Sequence, residues 1–107
     1  MTKPREQFIE CLPIFNALGD QTRQAILFLI NEEKGLNVLQ IATKIGLSRP
    51  AVSHHLRVLQ DAGIIDHRKV GRERIYYFSF ENALKKMSRL VHSVETSWQS
   101  PKTNPST

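Results

Sequence analysis

Apolar residues recur along this chain with a helical period for most of its length, and the period shortens to two in one stretch near residue 70. Over residues 5–18, Phe8, Leu12 and Phe15 fall at helical spacing with Ile9 and Ile14 alongside, which predicts a first helix. Pro13 lies inside it and is expected to kink or divide it, because proline removes an i→i−4 hydrogen bond and crowds the preceding turn. The apolar surface of this segment is too wide for a single contact. Asp20 is a good N-cap for a second helix through about residue 31, with Ala25, Ile26, Leu29 and Ile30 as the buried stripe and Gly35 as its end. Asn37 followed by Gln40 has the form of a capping box. It starts a short helix with Val38, Ile41, Ala42 and Ile45 turned inward, broken at Gly46.

The stretch 48–78, SRPAVSHHLRVLQDAGIIDHRKVGRERIYYF, carries the most information. Ser48 can accept a hydrogen bond from a first-turn amide, Pro50 sits where amides have no intrahelical partner, and Gly63 follows the last periodic residue. A helix is therefore predicted over residues 49–62. Val52, Leu56 and Leu59 stack on one face, while Arg49, Ser53, His54 and Arg57 lie on the other, with His55 near the core side. Two short runs rich in β-branched and aromatic residues follow, 64–69 and 74–79, separated by Val70, Gly71, Arg72 and Glu73, where Gly71 supplies the positive φ of a tight loop. From Glu81 to about Ser97, Leu84, Met87, Val91, Val94 and Trp98 recur at alternating steps of three and four, an a/d seam. That seam either packs on its own domain or pairs with the first helix across a two-fold axis. A small core favours the second arrangement.

The predicted fold is mainly α with a small β-hairpin, in the order α-α-α-α-β-β-α: a winged helix-turn-helix whose two central helices cover residues 37–45 and 49–62. Residues 1–99 form one domain with N- and C-terminal dimerisation helices. The tail, residues 100–107, has two prolines and nothing to bury, and is expected to be disordered.

Charge sharpens this picture. The chain of 107 residues carries a formal charge of +5 and a pI near 9.7, which favours a polyanionic partner. Six of its 15 Lys and Arg residues, Arg49, Arg57, Arg68, Lys69, Arg72 and Arg74, sit in the helix and hairpin just described, so the charge is a patch rather than a coat. Crowding basic side chains at a hairpin tip opposes stability but suits a groove lined with phosphates. The single cysteine, Cys11, excludes an intramolecular disulfide, no apolar run approaches the ~20 residues of a membrane span, and the N-terminus lacks a secretory apolar region. A cytoplasmic protein without membrane contact is expected. An enzyme is not: the chain shows no glycine-rich phosphate loop and no nucleophile-base arrangement, and it is too short to build a cleft.

Leu18-Gly19-Asp20-Gln21-Thr22-Arg23 with Ile26-Leu27, the helix SRPAVSHHLRVLQDAGII and the Gly71-Arg72 wing together resemble the ArsR/SmtB family of dimeric bacterial repressors, over residues 8–98. The resemblance implies a homodimer on an inverted-repeat operator of double-stranded DNA, with half-sites about one turn, ~34 Å, apart or a small multiple of that. It implies dimerisation through Phe8, Leu12, Phe15, Leu84, Met87, Val91, Val94 and Trp98. It also implies DNA contacts from Ser48, Arg49, Ser53, His54 and Arg57 on the helix and Arg68, Lys69, Arg72 and Arg74 on the wing. Arg57 is either a base reader or a phosphate clamp, and His55 either a structural histidine or a contact.

Metal-sensing members of the family carry a Cys-Val-Cys element where this chain has Asn37, Val38 and Leu39, so the soft ligands for arsenic, cadmium or lead are missing. Cys11 alone cannot form the dithiol pair of redox-sensing members. A second family site, on the C-terminal helices, pairs Asp-x-His with His-x-x-Glu or His-x-x-His. His92 and Glu95 match the second half, but Ser79 and Glu81 stand where Asp and His would be. No metal and no cofactor is therefore assigned, and the signal is an organic molecule, another protein or nothing. The reading from another class is a winged-helix module for protein-protein contacts, which the basic wing argues against.

Overall fold

The computed structural model describes residues 4–97. Trp98, the last position of the expected seam, and the tail at residues 100–107 lie outside them. The elements are α1 (Pro4–Leu18), α2 (Gln21–Glu33), α3 (Val38–Ile45), α4 (Arg49–Asp61), β1 (Ile65–Val70), β2 (Glu73–Phe78) and α5 (Glu81–Ser97), in the order the hydrophobic pattern predicts.

Local chemistry explains most boundaries. Asp20, extended in its backbone, accepts a hydrogen bond from the Arg23 amide at 2.9 Å and starts α2. Asn37 and Gln40 make both halves of a capping box, at 2.8 and 2.9 Å. Ser48 Oγ accepts from the Ala51 amide at 3.3 Å, with Pro50 in the first turn where its missing N–H costs nothing. The turn from α3 into α4 needs a left-handed residue, and Gly46 fills it at φ 83°.

Several expectations are corrected. Pro13 does not divide α1, which continues to Leu18. Pro13 and Ile9 both lie on the exposed side of the helix. In α2 the buried residues are Ile26, Leu27 and Ile30; Ala25 is exposed and Leu29 half-buried, so the stripe is rotated toward Leu27. The helix runs on to Glu33 and is closed by Lys34 in the left-handed region at φ 58°, not by Gly35. In the hairpin β1 pairs antiparallel with β2 from Ile65↔Phe78 to Val70↔Glu73, which narrows the turn to Gly71 and Arg72. Positive φ at Gly71 without positive φ at Arg72 is the pattern of a II′ turn, whose twist matches that of the strands.

The core gathers one face of every helix. Ile14, Ile26, Ile30, Ile41, Val52, Leu56, Leu59 and Ile64 are all but fully buried, and Cys11 and Ala17 join them from α1. A short bridge locks the wing to this core: Leu36 N–H donates to Tyr76 O at 3.1 Å and Tyr76 N–H to Leu36 O at 2.8 Å. The expected a/d seam of α5 divides into two faces. Ala83, Leu90 and Ser93 are buried, with Met87 and Val94 half-buried, in a helix that packs on α1 of the same chain. Leu84 and Val91 point away and are more than half exposed, at 52% and 56%. Glu10 meets Arg89 at 3.6 Å while Pro4 and Phe8 border Val94 and Ser97, so α1 and α5 run antiparallel.

Candidate nucleic-acid interface

Burying Val52, Leu56 and Leu59 turns the opposite side of α4 outward, and Arg49, Ser53, His54 and Arg57 are all exposed there. Ser53, His54 and Arg57 border one shallow depression with Pro50. Ser48 is exposed at the helix start, its oxygen engaged as the cap while its hydroxyl proton can still be donated outward. The N-terminal end of α4 also presents the Arg49 amide and the positive end of its dipole, which favours a phosphate.

The wing contributes unequally from its two faces. Strand residues alternate, so His67, Lys69, Arg74 and Tyr76 share one face, and Arg68, Val70, Glu73, Ile75 and Tyr77 the other. The first face turns toward α4: Ser53, Arg57, Gln60, His67, Arg74 and Tyr76 line a single polar cleft of about 470 Å³, with Asp61 also on its wall. Within it, His67 Nδ1 lies 2.9 Å from Gln60 Oε1, a hydrogen bond that fixes wing to helix, and the His67 ring leans on Tyr76 at 5.5 Å. Arg57 and Arg74 are thereby brought onto one cleft from two elements. Lys69 lies beside Arg74 as its cross-strand partner, and Arg72 stands at the turn. Arg68 is separated from them on the far face, its guanidinium 5.8 Å from the Tyr77 ring centroid. All four basic wing residues are exposed.

Three ties that hold this surface are not visible in the residue pattern. Asn37, besides capping α3, donates through Nδ2 to Glu73 Oε1 at 3.1 Å and so anchors the wing tip. Leu36 braces Tyr76 as described. Arg23 joins the C-terminal end of α1 to α4, donating to Ala17 O and reaching His55. Apart from Ala17, six residues before Arg23, each partner is far away in sequence, so periodicity carries no trace of it. His55 is half-buried against Arg23 and points away from the exposed stripe.

Elsewhere, the Asp20 carboxyl is held below the usual carboxylate range, chiefly by the hydrogen bond from the Arg23 amide. Burial pushes the Cys11 thiol up. His92 and Glu95 are both exposed on α5. Among the described residues no group of three or more His, Cys, Asp and Glu side chains converges on a metal position, and no helix is long and apolar enough to cross a membrane.

Comparison with known proteins adds a family. Residues 20–67 match the model described as bacterial regulatory protein, arsR family. An HTH-type transcriptional regulator of Methanocaldococcus jannaschii is 36% identical over 86 residues, spanning 80% of this chain and 96% of the relative. The transcriptional repressor SdpR of Bacillus subtilis is 42% identical over 67 residues, 60% of this chain and 69% of its own. Among solved structures, an ArsR-like transcriptional regulator from Rhodococcus superposes with a TM-score of 0.76 at 32% identity, covering 92% of this chain and 86% of that one.

Proposed function

The chain belongs to the arsR family of bacterial regulatory proteins, a DNA-binding transcriptional regulator and not an enzyme, and from that premise we propose that it acts as a cytoplasmic homodimeric repressor on an inverted-repeat operator. The observation that carries the DNA contact is the cleft where Ser53 and Arg57 of α4 meet Arg74 of the wing, with every basic residue of that surface exposed. Arg49, Ser53, His54 and Arg57 enter the major groove, and Arg57 can hold guanine O6 and N7 with two hydrogen bonds. The Ser48 hydroxyl and the Arg49 amide take a phosphate. Lys69, Arg72 and Arg74 follow the backbone or the adjacent minor groove. Arg68, on the other face, takes a phosphate at the wing's outer edge.

The dimer is supported by what α1 and α5 leave uncovered. Phe8, Leu12, Phe15, Leu84 and Val91 remain between 39% and 56% exposed after the two helices have packed together, and exposed apolar side chains of this kind suit a partner surface. A second copy related by a two-fold axis covers them and sets two reading helices for two half-sites. Repression then follows from occupancy of the promoter.

A soft-metal signal finds no thiolates at Asn37 or Leu39, and Asn37 is committed to its cap and to Glu73. This supports reading the effector as lying outside that metal class. Selection of duplexes from a random-sequence library by the purified protein tests this reading. The expected consensus is an inverted repeat with half-site centres ~34 Å apart or a small multiple of that. Recovery of single, unpaired half-sites would overturn the dimer, and no enrichment at all would overturn sequence-specific binding.

A further inference from the structure

Where α1 and α5 pack together, one stretch of their contact is polar and open. A recess of about 480 Å³ lies there, lined from α1 by Gln7 and from α5 by two neighbouring rows of residues spaced four apart, Ser88, His92 and Thr96 in one and Arg89 and Ser93 in the other. Serine and threonine are too short to fill the space between two helices, so the gap stays open. Its volume falls within the range of small-molecule sites, about 300 to 1,000 Å³. Glu95 does not line it, so the recess is a different constellation from the His92–Glu95 pair.

Gln7 is the unusual member. It is only 6% exposed, and its Oε1 is shut off from water and accepts no hydrogen bond from any described residue. A buried acceptor in that state opposes folding, and an apolar side chain of similar shape would serve the packing as well or better. Its position on the recess wall gives the oxygen a use, because a small turn of the amide brings it to the donor of a guest. Arg89 supplies the second recognition element. Its guanidinium is 3.6 Å from Glu10, with the two side chains 53% and 41% exposed. An ion pair so open to water holds weakly, so Glu10 can swing outward and leave the guanidinium fork to a carboxylate of the guest. An ammonium on the guest would set a second cation beside Arg89, which makes a hydroxyl the better donor to Gln7.

We propose that this recess is the effector site of the regulator and takes a small organic acid bearing a hydroxyl, with the carboxylate on Arg89, the hydroxyl on Gln7 Oε1 and the body against Ser88, Ser93 and Thr96. The effector role rests on the reading of the protein as a DNA-binding dimer; the binding chemistry does not. A guest clamps α1 to α5, the pair whose exposed Leu12, Leu84 and Val91 carry the proposed dimer surface, and so changes how two copies set their α4 helices.

The test uses lactate and mandelate as probes, each against its analogue without the hydroxyl, propionate and phenylacetate, in titrations of the full chain followed by amide NMR of α1 and α5. At least one hydroxy acid is expected to bind with a Kd of about 1 mM or tighter, and about fivefold more tightly than its analogue, the scale of one hydrogen bond. Gln7→Leu is expected to erase that difference while melting no lower than the wild type, since it removes an orphaned acceptor. A lower melting temperature would mark Gln7 as a structural group and overturn its role toward a ligand. Arg89→Gln is expected to weaken both members of each pair about tenfold, the scale of a hydrogen bond to a charged group. The bound acid is expected to change affinity for the selected duplex, read by anisotropy, by about fivefold or more.

No binding by any of the four acids, equal affinity within each pair, or binding indifferent to both substitutions would overturn the site. A bound acid that leaves duplex affinity unchanged would overturn the effector role. Failure of the acid-free protein to bind any duplex would instead sink the DNA-binding reading, while the titrations still judge the recess.

Discussion

Along α4 and the wing the exposed side chains include Arg49, Ser53, His54, Arg57, Arg68, Lys69, Arg72 and Arg74, while along α1 and α5 they include, among polar residues, the apolar Phe8, Ile9, Leu12, Leu84 and Val91. Both surfaces are built in the same way, from helices whose opposite faces are buried in one core. They differ in what completes them. The polar surface is already fixed within the chain by the Gln60–His67 bond, the Asn37–Glu73 bond and the Leu36–Tyr76 bridge, so it can present charge in a set geometry before any partner arrives. The apolar surface has no such internal completion and stays exposed until another apolar surface meets it. On the proposed reading, binding DNA draws on preorganisation and the dimer on surplus hydrophobic area, and one small core supplies both.

The largest expected effect comes from charging the apolar surface. Leu12→Glu, at a position 53% exposed, is expected to leave the fold intact and abolish the dimer. Operator affinity then falls by at least about a hundredfold, because the second half-site no longer benefits from linkage. Sedimentation equilibrium together with anisotropy checks both halves, and a persisting dimer would remove the contrast between the two surfaces.

Arg57→Ala comes next, at about 1–3 kcal/mol on the selected operator. If the loss falls on the selected sequence alone, Arg57 reads a base; if it is uniform over sequences, Arg57 clamps a phosphate. Arg72→Ala is expected to cost only a few-fold at moderate salt. It should reduce the slope of log affinity against log salt by about one per half-site, and an unchanged slope would take the wing tip out of the interface.

Asn37→Ala removes the α3 cap and the Glu73 tether together. It is expected to lower stability by ~1 kcal/mol in thermal melts and to cost operator affinity beyond that, since the wing tip loses its anchor. The smallest effect concerns Cys11. With its thiol buried and pushed up, reaction with an aromatic disulfide reagent should be slow in the native protein and fast in denaturant. Fast native reaction would mean that the α1–α5 pair opens readily.

Much of this was legible in the residues, for local reasons. Asp20, Asn37 with Gln40, and Ser48 announce helix starts because capping involves side chains within three positions of the amides they satisfy. The wing was legible because alternation and Gly71 together specify a hairpin, and the exposed stripe of α4 because the period separates Val52, Leu56 and Leu59 from Arg49, Ser53 and Arg57. What escaped was non-local or a matter of degree. The seam of α5 does not reveal that Met87 and Val94 turn toward α1 while Leu84 and Val91 turn away, because a helix with partners on two sides shows one broad stripe. Which basic wing residues face α4 was not settled by the strand pattern: alternation already sets Lys69 beside Arg74 and Arg68 on the other face, and only the packing of His67 and Tyr76 against α4 decides which face turns inward. Arg23 stood in the quoted motif, but its acceptors belong to α1 and α4.

The measurement that reaches the central claim most directly is a salt titration of the wild-type protein on its selected duplex, read by anisotropy, with the stoichiometry taken from sedimentation of the complex. Two protomers per inverted repeat are expected, with affinity that falls steeply and log-linearly with salt, as when several phosphates are neutralised on each half-site. A single protomer per duplex, or affinity indifferent to salt, would contradict it.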